Sequence, residues 1–78
     1  MVNKVTVYST AACPYCAMVK NYLTQNKIQF DNYDVGKNRE KAMEMVQKSG
    51  QMGVPVVDID GRIIIGFDKP AITKALGL

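Results

Sequence analysis

Cys13 and Cys16 stand three positions apart in the segment Cys13-Pro14-Tyr15-Cys16, and their type and spacing speak for covalent chemistry. Two thiols one helical turn apart can form and break a disulfide reversibly. One thiolate attacks a substrate disulfide and the other resolves the mixed disulfide that results. Pro14 suits the first turn of a helix, which puts Cys13 at or next to the N-cap, with the free amides of Tyr15 and Cys16 pointing towards its sulfur. Those donors and the positive end of the helix favour a thiolate there. Lys20, about 10 Å further along such a helix, is too distant to be the main cause. Cys16 falls one turn inward, on an apolar stripe with Val19 and Leu23, so it is expected to be more buried and less ionised. The catalytic assignment follows: Cys13 attacks and Cys16 resolves. Pro14 fixes the turn and removes a competing donor. Tyr15 points outward, either as a substrate contact or as an ordinary exposed tyrosine.

Other uses of two cysteines fit less well. A structural disulfide between residues three apart closes a tiny loop and adds little stability, and it is out of place in a reducing cytosol. Two thiolates are half of a tetrahedral metal set, so zinc or an iron–sulfur cluster would need a dimer or external thiols. Two inert core cysteines are the remaining alternative. The chain has no histidine, which excludes a Cys-His nucleophilic pair and a Cys/His zinc cluster. Its five methionines, Met43 and Met45 among them, read as flexible core filler rather than a metal or cofactor box. No metal site and no tightly bound cofactor are expected.

The elements that must position the thiols are legible in the pattern. Seventy-eight residues make one domain, 1–78, with a small core. Lys4-Val5-Thr6-Val7-Tyr8 alternates like a strand. A helix follows from Pro14 to about Asn26-Lys27, with Ala12, Cys16, Val19, Leu23 and Asn26 at helical spacing. Gln29 to Asp34 is expected as a second strand. Gly36 breaks the chain, and Asn38 caps a helix through Lys48, whose apolar side is Ala42, Met45, Val46 and Met43, ending at Ser49-Gly50. Two strands, Val54 to Ile59 and Arg62 to Ile65, flank Asp60-Gly61, a strong hairpin signal. Gly66 ends the fourth strand, Asp68 caps, and Pro70 opens a last helix ending at Leu76-Gly77. The order β-α-β-α-β-β-α predicts a small mixed sheet with a parallel, right-handed βαβ half and an antiparallel hairpin, covered by helices on both faces.

Partners and location are bounded by charge and hydropathy. The formal charge is +3, but the ten basic residues are scattered. Lys37, Arg39 and Lys41 alone cluster, interrupted by Glu40. That is a solvated helix start with a mild preference for acidic partners, not the dense, aromatic-laced stripe of a nucleic-acid surface. No apolar run approaches the roughly 20 residues of a membrane span. Met1-Val2-Asn3-Lys4 leads straight into strand without a signal-peptide pattern. A cytoplasmic monomer that engages neither nucleic acid nor membrane is expected. In Gly53-Val54-Pro55 a proline opens a strand although it cannot donate to a ladder. Read alone, a trans bond is the ordinary form; a cis bond would present the backbone of Val54 to an extended substrate.

Tyr8, Cys13-Pro14-Tyr15-Cys16, Val54-Pro55 and Gly66-Phe67-Asp68 together closely resemble glutaredoxins, over essentially the whole chain. The resemblance implies a thioredoxin fold with a four-stranded mixed sheet flanked by three helices, and a cis bond at Pro55. It also implies glutathione as a co-substrate in thiol-disulfide exchange on protein or glutathione mixed disulfides. By that likeness Tyr15, Val54, Pro55, Phe67 and Asp68 would line the glutathione or substrate site, with Val54 pairing to its cysteine and Asp68 meeting its γ-glutamyl amine. The chain departs from the family pattern at Thr10, where a lysine is usual, at Ile65-Gly66, where a Gly-Gly pair is usual, and at Asp68-Lys69, where an acidic pair is usual. Its short length and Gly66-Phe67 also resemble the small redoxins that supply ribonucleotide reductase and are reduced by thioredoxin reductase. Two alternatives therefore accompany the glutathione-coupled reading: such a reductase-coupled donor, and a dimeric iron–sulfur or metal-binding module using Cys13.

Overall fold

In a computed structural model, which describes residues 4–51 and 53–77, strand β1 (Val5–Ser9) runs down the middle of a four-stranded sheet ordered β2-β1-β3-β4. β2 (Asp31–Asp34) pairs parallel to β1, and β3 (Val56–Ile59) pairs antiparallel to its other side. β4 (Arg62–Ile65) closes the sheet as an antiparallel hairpin with β3. The helices are α1 (Pro14–Gln25), α2 (Arg39–Ser49) and α3 (Lys69–Leu76). This is the mixed α/β architecture that the hydrophobic pattern predicts. The methionine at position 1 and its two successors lie outside the described residues, as does Met52.

The period-two alternation of the strands divides the core into two layers. Val5, Val7, Val57, Ile59 and Ile64 face one side and pack with Val19 and Leu23 of α1 and Ile72 and Leu76 of α3. Tyr8 and Val56 face the other side, against Met45 of α2. A one-residue slip of β1 would exchange the two layers, so the register is tightly specified. The hairpin turn has positive φ at both Asp60 (51°) and Gly61 (94°), the combination a two-residue primed turn requires. Asn38 and Asp68 cap α2 and α3 as expected, each accepting a backbone N–H three residues on.

Four details depart from the sequence reading. Strand β2 begins at Asp31 rather than Gln29, because Lys27 at φ 58° turns the chain and Ile28 and Phe30 are drawn against the core instead. Strand β3 begins at Val56, since Pro55 has no N–H for the ladder. Ala12 is exposed in the loop before α1 rather than on its apolar stripe. Among the described methionines, Met45 is buried, whereas Met18 and Met43 are exposed at 45% and 58%, so they are not core filler. Those two stand on faces of α1 and α2 that the sheet does not cover.

Candidate active site

The register brings four segments to one end of the sheet. Ser9 pairs with Asp34 and Tyr8 with Val56, while Val56 also pairs with Ile65. The loop before α1, the turn after β2, the entry to β3 and the exit of β4 therefore lie side by side. An end of a sheet where neighbouring strands lead to different helices is a common place for ligands.

Cys13 occupies the N-cap of α1 with extended backbone (φ −107°, ψ 108°), and Pro14 opens the first turn. Its Sγ accepts the backbone N–H of Cys16 at 3.1 Å. Cys13 is half-buried; Cys16 is completely buried, and both are free thiols. Burial pushes the Cys16 thiol up from an ordinary value near 9 to about 11, helped by its hydrogen bond to Cys13 and opposed by one from the backbone of Thr10. Position and burial thus separate two chemically identical residues. One sulfur sits at the end of a helix within reach of solvent, and the other holds its proton inside the domain.

That separation has a consequence for stability. An unfolded cysteine releases its proton near pH 8.5–9, whereas the folded Cys16 keeps it to about pH 11. Between those values the folded state binds more protons, so the contribution is intact below about pH 8.5 and is lost as pH rises towards 11. Two pH units at about 1.4 kcal/mol each set a ceiling near 3 kcal/mol. Urea unfolding at a series of pH values is expected to show this loss in the reduced protein and not in the Cys13–Cys16 disulfide form. Tyr8, whose phenol burial also raises, is common to both forms, so a loss of equal size in the two would assign the effect to Tyr8.

At the same end of the sheet, Val54-Pro55 leads into β3 through a cis peptide bond. Pro55 is buried, and its carbonyl accepts the N–H of Gly66 at 2.8 Å, tying the turn to the end of β4. Gly66 has φ 78°, a conformation that favours glycine. Phe67 packs on the core with its ring edge against Tyr22. Asp68 caps α3 through one carboxylate oxygen, at 3.2 Å from the N–H of Ala71. Tyr15 projects into solvent at 61% exposure, beside the cysteines in sequence and uncommitted to the core. Replacing Asp68 by alanine is expected to cost about 1 kcal/mol of stability through the lost cap, lowering the melting temperature by roughly 4–8 °C, with asparagine restoring most of it. Thermal denaturation of the two variants side by side is the check.

Beneath this end of the sheet lies a polar network that sequence pattern does not reveal. The Tyr8 hydroxyl donates to Glu44 Oε2 at 2.6 Å and accepts from Lys48 Nζ at 3.0 Å. Lys48 also donates to Asp58 Oδ2 at 2.7 Å. Glu44 is held below the usual carboxylate range, chiefly by the Tyr8 hydroxyl, and Lys48 is held above the usual lysine range, chiefly by Asp58. The network satisfies a phenol buried under the strand that leads to Cys13. No group of three or more cysteine, histidine, aspartate or glutamate side chains able to hold a metal occurs among the described residues.

Fold and site together define a small thioredoxin-fold domain with a helix-capped dithiol. Residues 5–64 match the family model described as Glutaredoxin, and the chain belongs to the glutaredoxin family. It is 42% identical over 72 residues to a glutaredoxin-like 8.6 kDa protein in the rubredoxin operon of Clostridium pasteurianum, covering 92% of this chain and 96% of that one. It is 34% identical over 70 residues to the glutaredoxin-like protein NrdH of Lactococcus lactis, covering 90% and 96%. Among solved structures, a point mutant of the thioredoxin-like protein BC3987 superposes with a TM-score of 0.91 at 28% identity, covering 96% of each chain. The chain is therefore a glutaredoxin-like thiol oxidoreductase by family and fold.

Proposed function

We propose that this single-domain protein is a dithiol oxidoreductase that reduces protein disulfides or glutathione mixed disulfides, with Cys13 as nucleophile and Cys16 as resolving thiol. The observation that carries the reading is the contrast between the two sulfurs: Cys13 Sγ at the N-cap, accepting the backbone N–H of Cys16 at 3.1 Å, and the Cys16 side chain wholly buried. Cys13 thiolate attacks one sulfur of the substrate disulfide and expels the other as a thiolate. Cys16 then gives up its proton, attacks Cys13 Sγ and releases the second substrate thiol. Two electrons pass from the dithiol to the substrate, and a Cys13–Cys16 disulfide is left for the reductant to reopen. Pro14 fixes the turn; Tyr15, Val54, Pro55, Phe67 and Asp68 surround the substrate, which pairs with the backbone of Val54 as an added strand would. No helix among the described residues is long and apolar enough to cross a membrane; we place the protein in the cytoplasm, as a monomer.

Glutathione is one reductant the site suits, because Asp68 keeps a carboxylate oxygen beyond its capping bond for a cationic amine. A second reading has its own support. Similarity to the NrdH protein over 90% of this chain, together with Thr10 in place of a lysine, favours a donor to ribonucleotide reductase that thioredoxin reductase recharges. NADPH consumption distinguishes them when glutathione plus glutathione reductase is run against thioredoxin reductase alone. Turnover in the first arm supports glutathione coupling; turnover confined to the second assigns the reductase-coupled role. Visible cluster absorbance in anaerobically purified protein, with no disulfide reduction in either arm, would sink the oxidoreductase reading.

A further inference from the structure

Helix α2 presents two stripes, one turned into the fold and one that reaches the core only along its edge, through Val46. Lys41, Glu44, Met45 and Lys48 turn towards Tyr8, Tyr33 and Asp58. Arg39, Ala42, Met43, Val46 and Gln47 recur at the spacing of one continuous helical face. With Val35, Gly36 and Lys37 from the turn after β2, they line an open groove of about 730 Å³. Its floor is apolar, and Met43 stands in it at 58% exposure. Its charged groups are Lys37 and Arg39, both exposed, and neither side chain makes an ion pair or hydrogen bond among the described residues. The nearby Asp34 carboxylate is turned into its own loop, on the N–H of Gly36 at 2.9 Å.

The groove adjoins the dithiol. A Cβ on Gly36 would lie 3.7 Å from the Thr10 methyl group, and Thr10 stands three residues before Cys13 in the loop that leads to α1. On the other side Val35 and Val46 pack in the same cluster as Val54, whose backbone faces the substrate in the reading above. A polypeptide lying along Val54 with its cysteine at Cys13 is therefore led, a few residues on, to an apolar floor ending in two unpaired cations.

We propose that this groove selects protein substrates, docking a segment that carries an apolar side chain and one or two acidic residues a few positions from the reactive cysteine. The inference rests on the dithiol reading. The apolar residue covers Met43, Ala42 and Val46, and the acidic ones meet Lys37 and Arg39, so that charge speeds encounter and sets register. No new bond is made beyond the exchange already described.

The test measures second-order rate constants of pre-reduced protein with four disulfides: a peptide disulfide bearing acidic and apolar flanking residues, its counterpart with lysines for the acids, oxidised glutathione, and bis(2-hydroxyethyl) disulfide. Wild type is expected to favour the acidic peptide over the lysine peptide by about tenfold at low salt, with the preference shrinking as salt is raised. The K37E/R39E variant is expected to abolish or invert the preference. The neutral disulfide, too small to span the groove, should react within about twofold of wild type. R62E/K74E, the same charge change at the hairpin end of the sheet, should keep the preference. M43Q should slow both peptides alike. The proposal is overturned if wild type does not discriminate, if R62E/K74E loses the preference as fully as K37E/R39E, or if K37E/R39E slows oxidised glutathione as much as the acidic peptide, which would assign the cations to glutathione. Failure of wild type to reduce even the neutral disulfide would instead defeat the dithiol reading on which it stands.

Discussion

Cys13→Ser is expected to abolish disulfide reduction, by more than about three orders of magnitude, while leaving the fold intact. The two halves of that statement have different physical grounds. A serine hydroxyl does not ionise near neutral pH and cannot form the mixed disulfide, so the attacking step is lost outright, as when an enzyme's nucleophile is removed. Yet serine is among the best N-cap residues, and its oxygen can accept the Cys16 N–H that the sulfur now accepts at 3.1 Å. Loss of activity in this variant therefore cannot be blamed on an unravelled α1, and its melting temperature should match or exceed that of wild type. Cys16→Ser should behave differently. Cys13 keeps its helix end and still attacks, so one equivalent of substrate thiol is released and a mixed disulfide accumulates. Pre-reduced protein mixed with a stoichiometric chromogenic disulfide, followed by intact mass, reads both events without any reductant. An active Cys13→Ser beside a silent Cys16→Ser would reverse the assignment.

The site was legible in the sequence to the extent that local rules govern it. Pro14 after Cys13 foretells the cap, and Cys16 with Val19 and Leu23 foretells burial, because each rests on contacts within two turns of one helix. The Asp60-Gly61 turn and the Asn38 and Asp68 caps are of the same kind. What pattern reading missed depends on residues distant in the chain. Glu44 and Lys48 meet Tyr8 across 36 and 40 positions; on helical periodicity alone they are ordinary solvated charges. Met43 was expected in the core with Met45, yet the two are about 200° apart around a helix, and only the position of the sheet decides which is covered. The same indeterminacy hid the groove, since the stripe from Arg39 to Gln47 becomes a surface feature only once Tyr8 and Val56 have claimed the opposite one. The cis bond before Pro55 was implied by likeness to the family and not by local preference, which favours trans.

Leu23→Ala should remove a large part of the domain's stability, and it tests whether the dithiol helix is held by packing rather than by its own sequence. Helix α1 is 12 residues long, a length at which an isolated helix is marginal in water. Leu23 is completely buried in the core layer that also holds Val19, the sheet residues Val5, Val7 and Val57, and Ile72 and Leu76 of α3. Truncation there removes three carbons and leaves a cavity that a small, closely packed layer can only partly close, at a cost of roughly 3–5 kcal/mol. For a chain of this size, total stability is on the order of 4–12 kcal/mol, so the variant should melt roughly 12–40 °C lower. Leu23→Met, which nearly conserves volume, should cost less than about 1.5 kcal/mol. Chemical denaturation gives both values, with the slope against denaturant unchanged if the cavity acts on the folded state alone. Below its melting transition the alanine variant should still reduce a small neutral disulfide, because Cys13 is fixed almost three turns away by its own cap bond and Pro14. A variant that stayed folded but lost that reaction would show that the core layer positions the thiol as well as stabilising the domain, and the cap bond alone would no longer suffice to explain the site.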